Sequence, residues 1–406
     1  MRILMLSHGY PPVVSGVTLV VQKIGRAMVR KGHEVTVIAA SERPEPYCHE
    51  DEGVQLIRVR SAPNPFWAEG PIPFIAQRAL QEIVDRVQPE ICHAHDAAFL
   101  CLQLLRHSRD SDLPLVATCY YVPRFVARYL TWSDEPQEVV ESMVWTYSIW
   151  LFSRFDRVVF ATLAHRDLFL GEGLHVPTTI ISNGVDTARY HPPAGQAEDV
   201  EERYDLPAGP RILFVGRLAR DKEIDILIRA MPRVCVERKA HLLLVGRGDD
   251  RAWLEELTRE LGVQHRVHFL GFVPEEDMPA LYRAVDLFVI ASLCEVQSLP
   301  TLQAVATGLP VVAADALALP ELVHDGVNGF LVPPRDPKAM AEAVLDILGD
   351  AELSRRMGQA SLPIARDHAE MHTFDLYEDF YQQMLTCKAG ALNSPPGRES
   401  ERQVAS

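Results

Sequence analysis

Ile212-Leu213-Phe214-Val215-Gly216-Arg217-Leu218-Ala219-Arg220-Asp221-Lys222-Glu223-Ile224 is the stretch that decides the fold. Four consecutive apolar residues suit a strand covered on both faces. Gly216 lets the backbone turn tightly. Arg217 and Lys222 follow in the turn, and a helical pattern runs over Ile224–Cys235. Strand, turn and helix in that order make half of a right-handed β-α-β unit.

The same unit recurs on both sides. Downstream, strands are predicted at Leu242–Val245, Val267–Leu270, Leu287–Ile290 and Val311–Ala314. Helices fall at Arg251–Leu261, Glu275–Ala284, Thr301–Thr307, near Lys338–Leu348 and over 351–367. Upstream, strands are predicted at Ile3–Leu6, Val35–Ala39, Leu56–Val59, Ile91–Ala94, Leu115–Thr118, Val158–Ala161 and Thr179–Ile181. Helical patterns lie between most of them, including Ile75–Val87, Ala97–Arg106 and Pro136–Phe155. Residues 183–210, with Pro192, Pro193, Gly195, Pro207, Gly209 and Pro210, have linker composition. The expected fold class is α/β, with two doubly wound parallel-sheet (Rossmann-like) domains, 1–187 and 188–371, facing an interdomain cleft. A last helix at about 372–387 is expected to return to the first domain, and 388–406 reads as a disordered tail.

Composition narrows the function. The 406 residues carry 40 Lys+Arg against 55 Asp+Glu, a formal charge of −15, which argues against a nucleic-acid binder. Residues 1–190 hold 18 basic and 21 acidic side chains, so the first half meets an anionic membrane with little repulsion. Seven cysteines without a Cys-x-x-Cys pair point to a reducing compartment. The apolar run Ile3–Leu6 is shorter than a secretory core, and no stretch reaches the ~20 apolar residues of a membrane span. The expectation is a cytoplasmic protein, with contact on the inner face of the membrane left open.

In doubly wound sheets, ligands bind beyond the carboxyl ends of the strands. Arg217 and Lys222, backed by a helix start, suit a diphosphate; the plainer reading is a basic turn paired with Asp221, Glu223 or Asp225. Glu295 sits in the loop before Gln297-Ser298-Leu299 and the next helix, whose first N–H groups form another anion seat. Tyr10-Pro11-Pro12-Val13-Val14-Ser15-Gly16 combines a stiff loop with a close approach at a helix start. Neither it nor Gly246-Arg247-Gly248 completes the dinucleotide fingerprint. His93 and His95 share one side of a strand end, with Asp96 adjacent. Rim hydrogen bonding, acceptor contact and metal ligation are the roles open to them, in that order, since no third ligand follows at helical spacing. Asp110-Ser111-Asp112 precedes a strand and reads as a solvated turn rather than a metal motif.

These residues, with Ala306-x-Gly308-x-Pro310-Val311-Val312 and Asn183-Gly184-Val185-Asp186, resemble family-4 glycosyltransferases of the GT-B fold over about residues 1 to 385. The resemblance implies retaining sugar transfer from a nucleotide sugar such as UDP-glucose, with no cofactor and no metal. It places Arg217 and Lys222 on the donor diphosphate, Gly16 near the distal phosphate, and Glu295 on the transferred sugar. Ser298 and Leu299 match the phosphate-binding turn, and Phe272-Val273 the base-binding loop. The second glutamate of the motif, which holds the ribose, is Gln303 here, and Pro300 removes an N–H near the diphosphate. Where the family has a histidine beside the acceptor hydroxyl, Tyr120 stands, a poor base at an ordinary pKa of about 10.

For the acceptor, His95, Tyr120, Tyr121 and Arg124 are the expected contacts. The segment Met143–Phe152 is almost wholly apolar; a buried core helix is the first reading and a bilayer-facing surface, joined by Phe66-Trp67, the second. Thr118 to Leu130 is similar to lipid glucosyltransferases that modify diacylglycerol, with Cys119-Tyr120 in place of their histidine pair. The sequence therefore points to glucose transfer to a membrane lipid. Transfer to a soluble sugar or polysaccharide comes second, and a non-catalytic sugar-nucleotide binder, motivated by Gln303, Pro300 and Tyr120, is the alternative from another class.

Overall fold

Strands with continuous apolar runs can be covered on both faces, and the middle of each sheet is built from them. The computed structural model describes residues 1–13, 15–64, 71–95, 99–107, 112–130, 137–193 and 199–392. The first sheet contains β1 (Arg2–Ser7), β2 (Glu34–Ala40), β3 (Tyr47–Asp51), β4 (Val54–Ala62) and β5 (Ile72–Phe74). It continues with β6 (Ile91–Ala94), β7 (Leu115–Thr118), β8 (Arg157–Phe160) and β9 (Thr178–Ile180). The second holds β10 (Arg211–Val215), β11 (His241–Val245), β12 (Val267–Gly271), β13 (Leu287–Ile290), β14 (Val311–Ala314) and β15 (Gly329–Val332).

The strand orders are β3-β4-β2-β1-β6-β7-β8-β9, with β5 on β4, and β12-β11-β10-β13-β14-β15. In each sheet the winding direction reverses at its first strand: β1 pairs with both β2 and β6, and β10 with both β11 and β13. Loops at such reversals splay apart and open a crevice. The loop after β1 carries Tyr10–Gly16, and the loop after β10 carries Arg217 and Lys222. Three strands lie outside the expected set. β3 and β5 pair antiparallel with β4, and β3 is polar and largely exposed, so it lacks a buried-strand signature. β15 begins at Gly329, which sits against the Val311 backbone and leaves no room for a Cβ.

The last helix, Glu370–Leu392, returns to the first sheet. Phe374, Tyr377, Phe380, Tyr381 and Met384 share a core with Ile3, Met5, Val20 and Val21. Lys31 Nζ donates to Asp375 and Glu378 at 2.5 and 2.7 Å. The helix continues to Leu392, so the expected tail start at 388 is too early; residues 393–406 lie outside the described residues. At the crossover, Val185 N–H donates to the His368 carbonyl (2.8 Å) and Glu370 N–H to the Val185 carbonyl (2.9 Å). Gly184 has φ +77°, and a Cβ there would lie 2.8 Å from Glu370 Cα, so this crossing requires glycine.

Helix Gln137–Phe152 corrects the core-helix expectation. Only Ser148, Leu151 and Phe152 are buried, while Val139, Met143 and Trp150 are 64, 66 and 43% exposed. Its last turn is buried beside Phe169, and Trp145, Tyr147 and Ile149 pack half-buried against the same core, so one side of the helix faces the core and the other is exposed. Phe66, Trp67, Asp96, Asp110 and Ser111 lie outside the described residues. No described helix is long and apolar enough to cross a membrane.

Candidate active site

Two loops at strand ends meet through opposite charge. Lys222 Nζ lies 2.6 Å from Glu295 Oε1 and 3.6 Å from Asp221 Oδ2, joining the loop after β10 to the loop after β13. Arg217 Nη2 donates to Asp221 Oδ1 at 3.1 Å. Asp221 is 4% exposed, so it is the buried hub that sets both cations side by side. Burial alone would push the Lys222 amine down; the Glu295 and Asp221 carboxylates more than offset this and hold its pKa above the ordinary value. The amine therefore stays charged. The plain pairing anticipated for Asp221 is present, and those for Glu223 and Asp225 involve other cations, Arg335 and Arg229. Two cations held against two carboxylates near the rim leave a site that an incoming diphosphate can enter by competing for them.

Ser298 caps the helix Leu299–Ala306: its Oγ accepts from Thr301 N–H at 3.2 Å and from Thr301 Oγ1 at 2.8 Å. Pro300 falls in the first turn, leaving that end short of one donor. Leu299 touches the cores of both halves, and a Cβ on Gly16 would lie 3.9 Å from Leu299 Cδ1. The glycine loop and the donor turn thus meet across the cleft. Gln303 Oε1 accepts from Tyr282 Oη at 3.0 Å, which occupies part of its capacity toward a ribose. Phe272 is 52% exposed with the Arg247 guanidinium 5.5 Å from its ring centroid, whereas Val273 is buried in the core. Val273 can therefore offer a base only its backbone.

On the opposite side, His93 is fully buried and bonds Tyr381 Oη and Thr118 Oγ1, both at 2.7 Å. It is a buried histidine tied into the last helix rather than one on the rim. His95 Nδ1 lies 2.9 Å from Tyr120 Oη, and its Nε2 is buried without a hydrogen-bond partner. Burial lowers His95 to about 3 and raises the Tyr120 phenol well above its ordinary value. The pair is therefore neutral: the tyrosine hydroxyl holds the imidazole, and His95 Nε2 is a buried polar atom without a partner. Tyr121, expected beside the acceptor, turns the other way. Its Oη bonds Ser148 Oγ at 2.8 Å and its ring packs among Phe152 and Phe169, because adjacent residues at the strand exit face opposite sides. Arg124 is exposed and lies 3.8 Å from Glu141 of the helix Gln137–Phe152. Among the described residues no group of His, Cys, Asp and Glu could hold a metal.

The buried histidines carry a pH signature. His93, His95 and His165 all have pKa values depressed by burial, so protons bind better to the unfolded chain. Their stabilisation is complete above about pH 6.5 and is lost as pH falls toward the depressed values. The expected loss approaches about 1.4 kcal/mol per pH unit for each histidine. Urea midpoints from pH 7 to 4.5 check it; a flat profile would contradict these protonation states.

Pairing by Asp221 was expected, but its joining of both cations, and the contact made by Gln297, were not. The i,i+4 spacing of Arg217 and Asp221 signals the first; a polar residue between Glu295 and a helix cap signals the second only weakly.

Residues 209–350 match the model of a family described as glycosyl transferases group 1, and residues 14–189 that of glycosyltransferase family 4. An uncharacterized glycosyltransferase of Methanocaldococcus jannaschii is 28% identical over 367 residues, 86% of this chain and 90% of the relative. Glycogen synthase of Mycobacterium tuberculosis is 29% identical over 393 residues, 89% of each. Sucrose-phosphate synthase from Thermosynechococcus elongatus superposes with TM-score 0.80 at 22% identity, over 95% of this chain and 99% of that one. Anabaena HepE in complex with UDP-glucose gives 0.71 at 21%, over 97 and 100%. The two sheets therefore have the GT-B arrangement.

Proposed function

The chain belongs to the group 1 glycosyltransferases, and from that premise we propose that it moves glucose, with retention, from UDP-glucose to a lipid acceptor such as diacylglycerol. The observation that carries the donor half is the meeting of Arg217, Lys222 and Glu295 at a sheet reversal, opposite Gly16. Fixed positive charge and helix-start amides stabilise a departing diphosphate without a metal. Glu295 is assigned to the sugar, Ser298 and Leu299 to the phosphate turn, Gln303 to the ribose, and Phe272 with the Val273 backbone to the base. HepE, a fold neighbour, is described in complex with UDP-glucose, which supports this donor.

For the acceptor, His95 Nε2, oriented by Tyr120, is assigned to the hydroxyl. Neither residue is charged, so the leaving phosphate takes the proton. Support for a lipid comes from helix Gln137–Phe152. Trp145, Ile149 and Trp150 line a groove on it whose acidic rim, Glu138, Glu141 and Glu172, disfavours anionic headgroups and suits a neutral lipid. Replacing Met143 and Trp150 together by serine is expected to cut co-sedimentation with diacylglycerol vesicles severalfold and leave UDP binding unchanged. Burial of each side chain is worth about 1.5–3 kcal/mol. Equal sedimentation of the two proteins would remove the helix from this role.

Transfer to a soluble sugar or polysaccharide is the second reading, favoured by the likeness to a glycogen synthase. Labelled UDP-glucose with and without diacylglycerol vesicles separates them. The proposal expects vesicle-dependent UDP release and label in the lipid. Release indifferent to vesicles would favour the soluble acceptor, and UDP binding without turnover under any acceptor would make the chain a binding protein.

A further inference from the structure

Gln297 stands two residues after Glu295 and directly before the Ser298 cap, yet its side chain leaves the second half altogether. It is 5% exposed. Its Oε1 accepts from Asn183 N–H at 2.6 Å and from Ser182 Oγ at 3.2 Å. Its Nε2 lies 3.0 Å from Ser182 Oγ and donates to the Ala161 carbonyl at 3.4 Å. The adjacent Val296 carbonyl accepts from Thr162 Oγ1 at 2.8 Å. Ser182 Oγ is itself bonded to His368 Nδ1 at 2.9 Å, at the second crossing between the halves.

One buried amide thus joins the donor turn to the end of β8 and to the crossover at Ser182–Asn183. A buried amide whose donor and acceptor are both used resists displacement, because each broken bond leaves a desolvated polar group. The segment Glu295–Ser298 cannot shift without moving Asn183 or abandoning those bonds. Other ties between the halves bypass the donor turn. Glu321 accepts from the Leu163 and Ala164 N–H groups at 3.1 and 2.6 Å.

We infer that Gln297 is a positioning residue that couples occupancy of the nucleotide site to the junction between the two halves. The inference rests on the donor site proposed above. It assigns Gln297 no contact with substrate; the residue acts through Glu295 and Ser298 on one side and Asn183 on the other.

Hydrogen exchange read by mass spectrometry tests it, with UDP as the probe. In the wild type, UDP is expected to slow exchange at residues 212–225, which touch it, and also at residues 158–186, which do not, by about threefold or more. Gln297→Ala should keep the first effect and lose the second. Gln297→Glu retains the acceptor for Asn183 N–H but sets a carboxylate oxygen against the Ala161 carbonyl, so it should keep the first effect and weaken the second. Glu321→Ala loosens the contact between the halves without touching the donor turn; it should speed basal exchange at 158–186 and preserve the response to UDP. A response at 158–186 that survives Gln297→Ala, or is absent from the wild type, overturns the coupling. Absence of any UDP effect at 212–225 places the failure in the donor site itself and takes the coupling down with it.

Discussion

Arg217→Ala is expected to weaken UDP-glucose binding by a factor of ten or more and to lower kcat/KM at least as far. A charge-assisted contact to phosphate is worth about 1.5–3 kcal/mol, which is roughly 10- to 150-fold. The residue is well placed for this effect. Its guanidinium is a quarter exposed at the mouth of the cleft and is held by Asp221, so little ordering remains to be done when the diphosphate arrives. UDP alone should lose affinity by a similar factor, since the contact is to the diphosphate and not to the sugar. Calorimetry with both ligands checks this. Unchanged affinity for both would remove Arg217 from the site.

Glu295→Gln should behave in the opposite way toward UDP. The substitution preserves shape but removes the charge 2.6 Å from Lys222 Nζ. Lys222 is then freed to meet the diphosphate, so UDP affinity is expected to hold or to rise. Transfer should fall by about 10- to 100-fold, because a hydrogen bond from a sugar hydroxyl to a charged carboxylate is exchanged for one to a neutral amide. Steady-state rates measured beside UDP calorimetry give the split directly. Parallel loss of UDP binding and turnover would mean that Glu295 serves only to hold Lys222.

The two substitutions probe the part of the molecule that was most legible in the sequence. Interior strands such as Leu213–Val215 and Leu287–Ile290 are covered on both faces, so their apolar runs are continuous and their ends are easy to place. Residues just after those ends inherit the same clarity, and Lys222 and Glu295 do meet. The edge strand Tyr47–Asp51 was not legible, since an exposed strand needs no apolar residues. Side-chain direction was less legible still. Nothing local distinguishes Tyr120, which turns toward His95, from Tyr121, which turns toward Ser148. The helix Gln137–Phe152 was half legible for a related reason: its apolar content suits a core, but Val139, Met143 and Trp150 stay exposed while Trp145, Ile149, Leu151 and Phe152 pack on one. Gln297 was invisible because its partners lie more than a hundred residues earlier in the chain.

The arrangement around Asp221 also limits what tight binding can achieve. Both cations are paired with carboxylates, so on the proposed reading a diphosphate would exchange one set of ion pairs for another. Affinity should accordingly fall with added salt less steeply than two bare cations would predict. On the proposed reading, departure would be helped where charge grows on the leaving phosphate as the glycosidic bond breaks, because fixed dipoles and cations act most strongly there.

The most direct measurement is a crystal structure of the chain soaked with UDP-glucose. The diphosphate is expected between Arg217 and Lys222, the sugar against Glu295, and the uracil beside Phe272. Ordered nucleotide anywhere else, with the Lys222–Glu295 pair left intact, would contradict this placement.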